Sequence, residues 1–274
     1  MMRHLSATAR VVGLLVMLGI VVFPLYWMFV TSLTSDGALF GSEAQLLPDF
    51  SQLGIYRSAL TGQVLLWLRN SFIIAAGTCV LTGLLALPFG YALSRFKFRA
   101  KGAFAVGLFL TQMLPEALLV VPLFAIFRSL DLLNTLLGLI LANTAFVLPI
   151  VVFVLRGSFE GVPRELDEAA RVDGCRSMGV LTRILLPVIA PTVAATAVIS
   201  FFHGWNDYVF AVTFAFDAEI QPASVGLASF IGELSTPIQT VMAVGVMYTL
   251  PAVGFYLFAQ RYVVSGMTAG SVKG

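Results

Sequence analysis

Leu136-Leu-Gly-Leu-Ile-Leu-Ala-Asn-Thr-Ala-Phe-Val-Leu-Pro-Ile-Val-Val-Phe-Val-Leu155 runs without a formal charge. A helix of about 20 apolar residues matches the thickness of a bilayer's hydrocarbon core, so this stretch reads as a membrane span. Working outward, five further stretches meet the same test: residues 11–33, 71–93, 103–127, 193–214 and 238–258. Composition agrees. Of the 274 residues, 59% are hydrophobic and 11% charged, with a mean hydropathy of +0.95. A soluble domain carries about 25% charged residues, and this chain has too little polar surface to cover a water-facing globule. An all-α, polytopic protein with six transmembrane helices is expected.

The first stretch resembles a secretory signal in position. It is long for one, and no small-x-small cleavage site follows it, so it reads as an uncleaved anchor. Lys and Arg accumulate on the inner side of a membrane protein and so orient the spans. With the N-terminus inside, the inner segments hold Arg3, Arg10, Arg95, Lys97, Arg99, Lys101, Arg156, Arg164, Arg171, Arg176, Arg183, Arg261 and Lys273, which is 13 of the 16. The outer segments hold only Arg57, Arg69 and Arg128, along with much of the acid: Asp36, Glu43, Asp49, Asp131, Asp217, Glu219 and Glu233. Both termini are then cytoplasmic. A net charge of +2 gives no sign of nucleic-acid binding. Cys79 and Cys175 fall at different depths in this topology, which argues against a disulfide. His4 and His203 are isolated, and no His/Cys/Asp/Glu cluster has metal-ligand spacing.

The inner segment 157–191 carries the most information. Val162-Pro-Arg-Glu-Leu-Asp-Glu-Ala-Ala-Arg-Val-Asp-Gly174 reads as a short amphipathic helix. Pro163 suits its first turn, Glu165, Asp167 and Glu168 favour the positive end of its dipole, and Gly174 suits its stop. Residues 177–186 read as a second helical stretch. Ala169 and Ala170 allow another surface to come close, with Arg164, Glu168, Arg171 and Asp173 offering charge pairs around that contact. From the residues alone, a helix seated in a partner's cleft and an ordinary solvated loop helix both stand.

Glu168-Ala169-Ala170, three residues, Gly174, nine residues, Ile184, one residue and Leu186-Pro187 together resemble the EAA motif of ABC importer permeases. The resemblance runs over nearly the whole chain and is nearest to the second, MalG-type permease of maltose- and trehalose-type sugar transporters. Asn70-Ser71 at the second span, Tyr91-Ala-Leu-Ser-Arg-Phe-Lys-Phe-Arg99, the stretch from Met113 to Phe124 with Pro115 and Pro122, and Phe202-His-Gly-Trp-Asn-Asp207 are all similar to that subfamily. So is the tail Gln260-Arg261-Tyr-Val-Val-Ser-Gly266-Met-Thr268-Ala-Gly270-Ser-Val-Lys273-Gly274.

The resemblance implies a type I, MetI-like permease fold in a bacterial cytoplasmic (inner) membrane. It implies a single transmembrane domain over 1–274, a five-helix core over about 71–258, a coupling loop over 157–191 and a cytoplasmic tail over 259–274. In such a loop Glu168, Ala169, Ala170, Arg171, Asp173, Gly174, Ile184, Leu186 and Pro187 would meet an ATPase, and Gln260, Arg261, Gly266, Thr268, Gly270 and Lys273 of the tail would touch it as well. The implied partners are a second, different permease, two ATP-binding subunits holding ATP and Mg, an extracytoplasmic solute-binding protein and the lipid bilayer. The chain itself has no G-x-x-x-x-G-K-[ST] sequence, so no nucleotide chemistry, cofactor or catalytic residue is expected on it.

Charged and polar groups inside spans cost several kcal/mol unless they face protein or water. Pro115 and Pro122 should interrupt the third helix. Glu116 beside them reads either as a pathway residue or as a structural acid at a wet edge. Trp205, Asn206 and Asp207 inside the fifth span either line a sugar pathway or hold helices together. His203 reads as a satisfied bundle residue. The outer loop from Asp217 to Pro237 either reaches a binding protein or is a plain connector. The cargo reading is a sugar (oligosaccharide, disaccharide or glycoside). A non-sugar solute such as an amino acid, a glycerophosphodiester or an osmolyte is the alternative. A secondary transporter is disfavoured by the absence of an inverted hydropathy repeat, and a membrane scaffold has no positive sign.

Overall fold

A backbone in hydrocarbon must satisfy its own N–H and C=O groups, which helices do within one segment. The computed structural model is accordingly helical, with no strand among the described residues. It describes all residues except 1, 42–44, 61, 232–236 and 270–274, and no side chains of 2–7, 36 or 261–269. Glu43, Glu233, Gly270 and Lys273 therefore lie outside the described residues.

The principal helices are α1 (Met2–Ser32), α2 (Gln63–Arg95), α3 (Lys101–Thr111), α4 (Glu116–Ser129), α5 (Leu136–Glu160), α6 (Glu165–Val172), α7 (Ala190–Asn206), α8 (Val209–Phe214) and α9 (Ile238–Ala269). Among the described residues four apolar helices are long enough to cross a bilayer, and up to six spans result if each of two bent pairs counts as one.

Two expected spans are broken. The third is α3 and α4, meeting at 105°. Pro115 has no N–H to give back to α3, and it stands extended (φ −60°, ψ 134°) as the N-cap of α4. Its ring also disfavours helical geometry at Leu114. Pro122, in contrast, lies inside α4 without ending it; lacking an N–H it leaves one rung of the ladder open, so both prolines interrupt the ladder and only Pro115 ends a helix. The fifth expected span ends at Asn206, and α8 starts afresh at Val209 after Asp207 and Tyr208. The segment Ser177–Val188 meets α7 at 87°. That segment contains a π-helical turn over Val180–Leu185.

The chain divides into two units. Residues 1–65 with 226–250 form one, and 66–225 with 251–274 the other. In the first, the Ser32 and Tyr56 hydroxyls pair at 2.6 Å and the Tyr26 hydroxyl donates to the Leu46 carbonyl at 2.7 Å. In the second, helices gain from close packing, because lipid is as apolar as the side chains themselves. Small residues permit it. A Cβ on Gly204 would sit 3.1 Å from the Ala75 Cα, and one on Gly90 would sit 3.2 Å from the Leu155 Cβ. One apolar cluster gathers Tyr91, Val151, Leu155 and Phe159 with Ala170, Leu181 and Leu185 of the inner loop. Another gathers Ile74, Leu139, Phe127, Phe210 and Phe214.

Candidate functional site

The segment 157–191 is built around α6. Its N-cap is Arg164, so Pro163 precedes the helix instead of opening it. Its end is a glycine stop: Gly174 has φ +83°, a conformation that side chains with a Cβ resist. The Cys175 N–H reaches the Ala170 carbonyl at 2.9 Å and the Gly174 N–H the Arg171 carbonyl at 3.0 Å. These bonds satisfy carbonyls that a helix end otherwise leaves open.

The two faces of α6 differ. Asp167 and Ala170 are buried. Ala170 packs into the chain's own apolar cluster, with Ile184 and Leu186 against the same cluster. It is thus a contact within the chain, and only Ala169 of the alanine pair lies open. Glu165, Glu168, Ala169 and Val172 form the outward face, and Val172 is 88% exposed. Arg171, Asp173 and Pro187 are exposed as well.

Asp167 is held by Arg95, the last residue of α2. The Arg95 Nη2 donates to Asp167 Oδ1 at 3.1 Å and to the Val162 carbonyl at 2.9 Å, while its Nε lies 3.0 Å from Asp167 Oδ2. Both side chains are more than nine-tenths buried. In the sequence Arg95 reads as an inner cation within the Tyr91–Arg99 stretch and Asp167 as an acid at the positive end of a helix dipole, with nothing to pair them. Their pairing spans 72 residues, and no local pattern points to it.

The second feature is a cavity of about 710 Å³ lined by residues of α3, the α3–α4 break, α5 and the α7–α8 break. Four of the residues singled out from sequence meet there: Pro115, Glu116, Asn206 and Asp207. Glu116 Oε1 lies 3.8 Å from His203 Nε2. Asp207 accepts from Asn143 Nδ2 at 3.0 Å and from the Phe210 N–H at 3.1 Å, the second bond capping α8. Gln112, which sequence reading passed over, lines the cavity and donates to the Phe146 carbonyl at 2.9 Å across the break. A polar residue three positions from a proline inside an apolar stretch is its only signal. Trp205 is not part of the lining. It is 1% exposed and stacks on Phe201 at 5.7 Å. Pro122 also lies off the cavity. Among the described residues no His/Cys/Asp/Glu group is placed to hold a metal ion.

In the N-terminal part of α2, Asn70 Nδ2 donates to the carbonyls of Glu219 (2.7 Å) and Gln221 (3.1 Å), and the Ser71 hydroxyl accepts from the Ala223 N–H at 2.9 Å. In the tail, Gln260 is exposed. Arg261, Gly266 and Thr268 continue α9 with their side chains outside the described residues.

Residues 64–269 match the family model described as binding-protein-dependent transport system inner membrane component. The chain is 34% identical over 268 residues to the trehalose/maltose transport system permease protein MalG of Thermococcus litoralis, covering 96% of each. It is 32% identical over 254 residues to the diacetylchitobiose uptake system permease protein DasC of Streptomyces coelicolor, covering 92% of each. The fold superposes, with a TM-score of 0.82 and 22% identity, on a chain of a bacterial ABC transporter involved in the import of the acidic polysaccharide alginate, covering 94% of this chain and 96% of that one.

Proposed function

We propose that this chain, which belongs to the family of binding-protein-dependent transport system inner membrane components, passes a sugar (an oligosaccharide, disaccharide or glycoside) across the membrane. It is a permease subunit of an ATP-driven ABC importer and a multi-pass protein of the bacterial inner membrane, not itself an enzyme. The cargo reading draws on relatives named for trehalose/maltose and diacetylchitobiose uptake.

One observation supports the coupling role above the rest. The short helix α6 is anchored on one face by Asp167 and Ala170 and presents Glu168, Ala169 and Val172 on the other. That outward face fits the cleft of an ATP-binding subunit, with Glu168 toward a basic residue. We read residues 1–274 as one permease domain with both termini in the cytoplasm, the loop 157–191 as the coupling element and 259–274 as an ATPase-contacting tail. The remaining parts of the complex are a second permease, two ATPase subunits carrying ATP and Mg, and an external solute-binding protein. Closure of the ATPase pair would move α6 and switch the cavity between inward and outward access, through contacts that differ between the two states. The titratable groups on the cavity wall are Glu116, His203 and Asp207, two acids and one imidazole, a lining that suits an uncharged polyol better than an anion.

Co-purification of the tagged chain, followed by a sugar screen on the binding protein encoded with it, tests this reading. Two ATPase subunits and a sugar-specific binding protein are expected. Uptake driven by an ion gradient without any ATPase would sink it.

A further inference from the structure

The Arg95–Asp167 pair joins two elements that the motif at Glu168 does not connect. Any push on the outward face of α6 leaves that helix through its inner face, which offers two attachments. Ala170 touches an apolar cluster, and apolar contacts have no preferred direction and can slide. Asp167 is held by Arg95, whose Nη2 donates both to it and to the Val162 carbonyl ahead of α6. Charge-assisted bonds from a planar guanidinium fix direction as well as distance. Buried as they are, they escape the water that would loosen them.

Arg95 closes α2, a helix of 33 residues that stays continuous through Pro88, so a displacement of Asp167 acts on one end of a long rod. Midway along it, Ala75 and Thr78 press on Gly204 of α7, the helix that carries Ile199, His203 and Asn206 to the cavity wall. At the far end, Asn70 and Ser71 hold the segment 219–223 by three hydrogen bonds. Asn70 and Arg95 stand roughly 37 Å apart along the axis at 1.5 Å per residue. We propose that α2 is the transmission rod between the coupling loop and the cavity, and that Arg95 and Asp167 are its positioning residues, forming the joint through which a nucleotide-driven shift of α6 reaches α7. This rests on the importer reading above and adds to it a route and two residues.

The test uses the purified complex with its ATPase subunits, needs no knowledge of the cargo, and reads the cavity directly. In a Cys79→Ala, Cys175→Ala background, Ile199→Cys places a single thiol on the cavity wall, where Ile199 is 41% exposed. Its labelling by a membrane-impermeant maleimide is timed with and without Mg-ATP plus vanadate. The parent rate is expected to change at least about fivefold, in line with a two-state shift in access. Arg95→Gln and Asp167→Asn should keep the ATPase subunits bound and ATP hydrolysis within about twofold, yet reduce the nucleotide effect on labelling to less than about twofold. Arg95→Lys, which keeps the charge and a donor, should recover about half of it. A full nucleotide effect in either neutral variant overturns the proposal. So does loss of the ATPase subunits from the complex, which would make the pair a fold-holding contact only, or an Arg95→Lys variant as inert as Arg95→Gln. A parent complex whose labelling ignores nucleotide sinks the importer reading itself, and the joint with it.

Discussion

Asn143 and Asp207, 64 residues apart, meet through an Nδ2 to Oδ2 hydrogen bond of 3.0 Å at the wall of the cavity. The other carboxylate oxygen caps α8 through the Phe210 N–H, and the Asp207 carbonyl accepts from the Ser224 hydroxyl at 2.6 Å. One residue thereby fixes α5, α8 and the turn of helix at Ala223–Ser229 around the break that ends α7.

Asp207→Ala should remove both carboxylate bonds. Loss of a helix cap costs about 1 kcal/mol, and loss of an interhelical hydrogen bond in a membrane bundle about 0.6 kcal/mol. Asp207→Asn keeps the cap acceptor but puts an NH2 donor where Oδ2 accepted from Asn143, whose other amide hydrogen goes to the Leu139 carbonyl at 2.8 Å, so the link between α5 and the break is lost. Thermal unfolding of the detergent-solubilised protein should rank wild type above Asp207→Asn and Asp207→Ala lowest. An Ala variant as stable as the parent would remove Asp207 from the structural role assigned to it.

The same residue shows what hydropathy can and cannot read. Long apolar runs told where helices cross, because transfer free energy adds along a segment. They did not tell where a helix stops inside such a run. Pro115 and Asp207 both break the backbone while their neighbours stay apolar enough to keep the average high. The short inner helix was legible from its caps and charges, and α6 ends where Gly174 indicated. The orientation of that helix was not, since an eight-residue amphipath has one face for its own protein and one for a partner. Contacts distant in sequence, Arg95 with Asp167 across 72 residues and the apolar cluster around Ala170, decide which is which.

Gly174→Ala tests the glycine stop. At φ +83° a Cβ costs about 1–2 kcal/mol, and nothing nearby would offset it, since no atom lies within 4 Å of the position a Cβ would take. The strain is therefore conformational, not steric. Gly174→Asn, a residue that tolerates the left-handed region, should be milder than Ala. Retention of the ATPase subunits in pull-downs, scored for Gly, Asn and Ala in turn, should fall in that order. Equal retention by all three would show that the loop adopts another ending.

Gly204→Val tests the contact between α2 and α7. Even the first carbon of a side chain would come within 3.1 Å of Ala75 Cα and 2.9 Å of Thr78 Oγ1. Backbone cannot give way as a flexible side chain can, and overpacking of a close helix contact costs about 1–3 kcal/mol. The variant should unfold at a lower temperature than Gly204→Ala, and Gly204→Ala lower than wild type. Gly107→Val serves as the control, since its Cβ position meets nothing within 4 Å and should leave unfolding unchanged. Equal melting of the Gly204 and Gly107 variants would mean that the two helices do not pack this closely in the membrane.

Glu168→Arg separates folding from coupling. Glu168 is exposed on α6 while the buried contacts of that helix belong to Asp167 and Ala170, so the substitution leaves the chain's own packing in place. Exposed substitutions of this kind change stability by about 0.5 kcal/mol or less, and membrane insertion and unfolding temperature should match wild type. Toward a basic residue of an ATPase the effect is large. Where Glu168 faces such a residue, as proposed above, a like-charge pair would replace an ion pair, and removing one partner of a desolvated pair already costs about 2 kcal/mol or more, a loss of roughly 30-fold or more in binding. Uptake in whole cells should fall at least about tenfold, Glu168→Gln should fall in between, and an acidic substitution at the facing basic residue of the ATPase should restore Glu168→Arg but not Glu168→Gln. Full uptake in the Glu168→Arg strain would move the coupling contact away from this face of α6, leaving Arg171, Asp173 and the tail from Gln260 onward as the surfaces to examine.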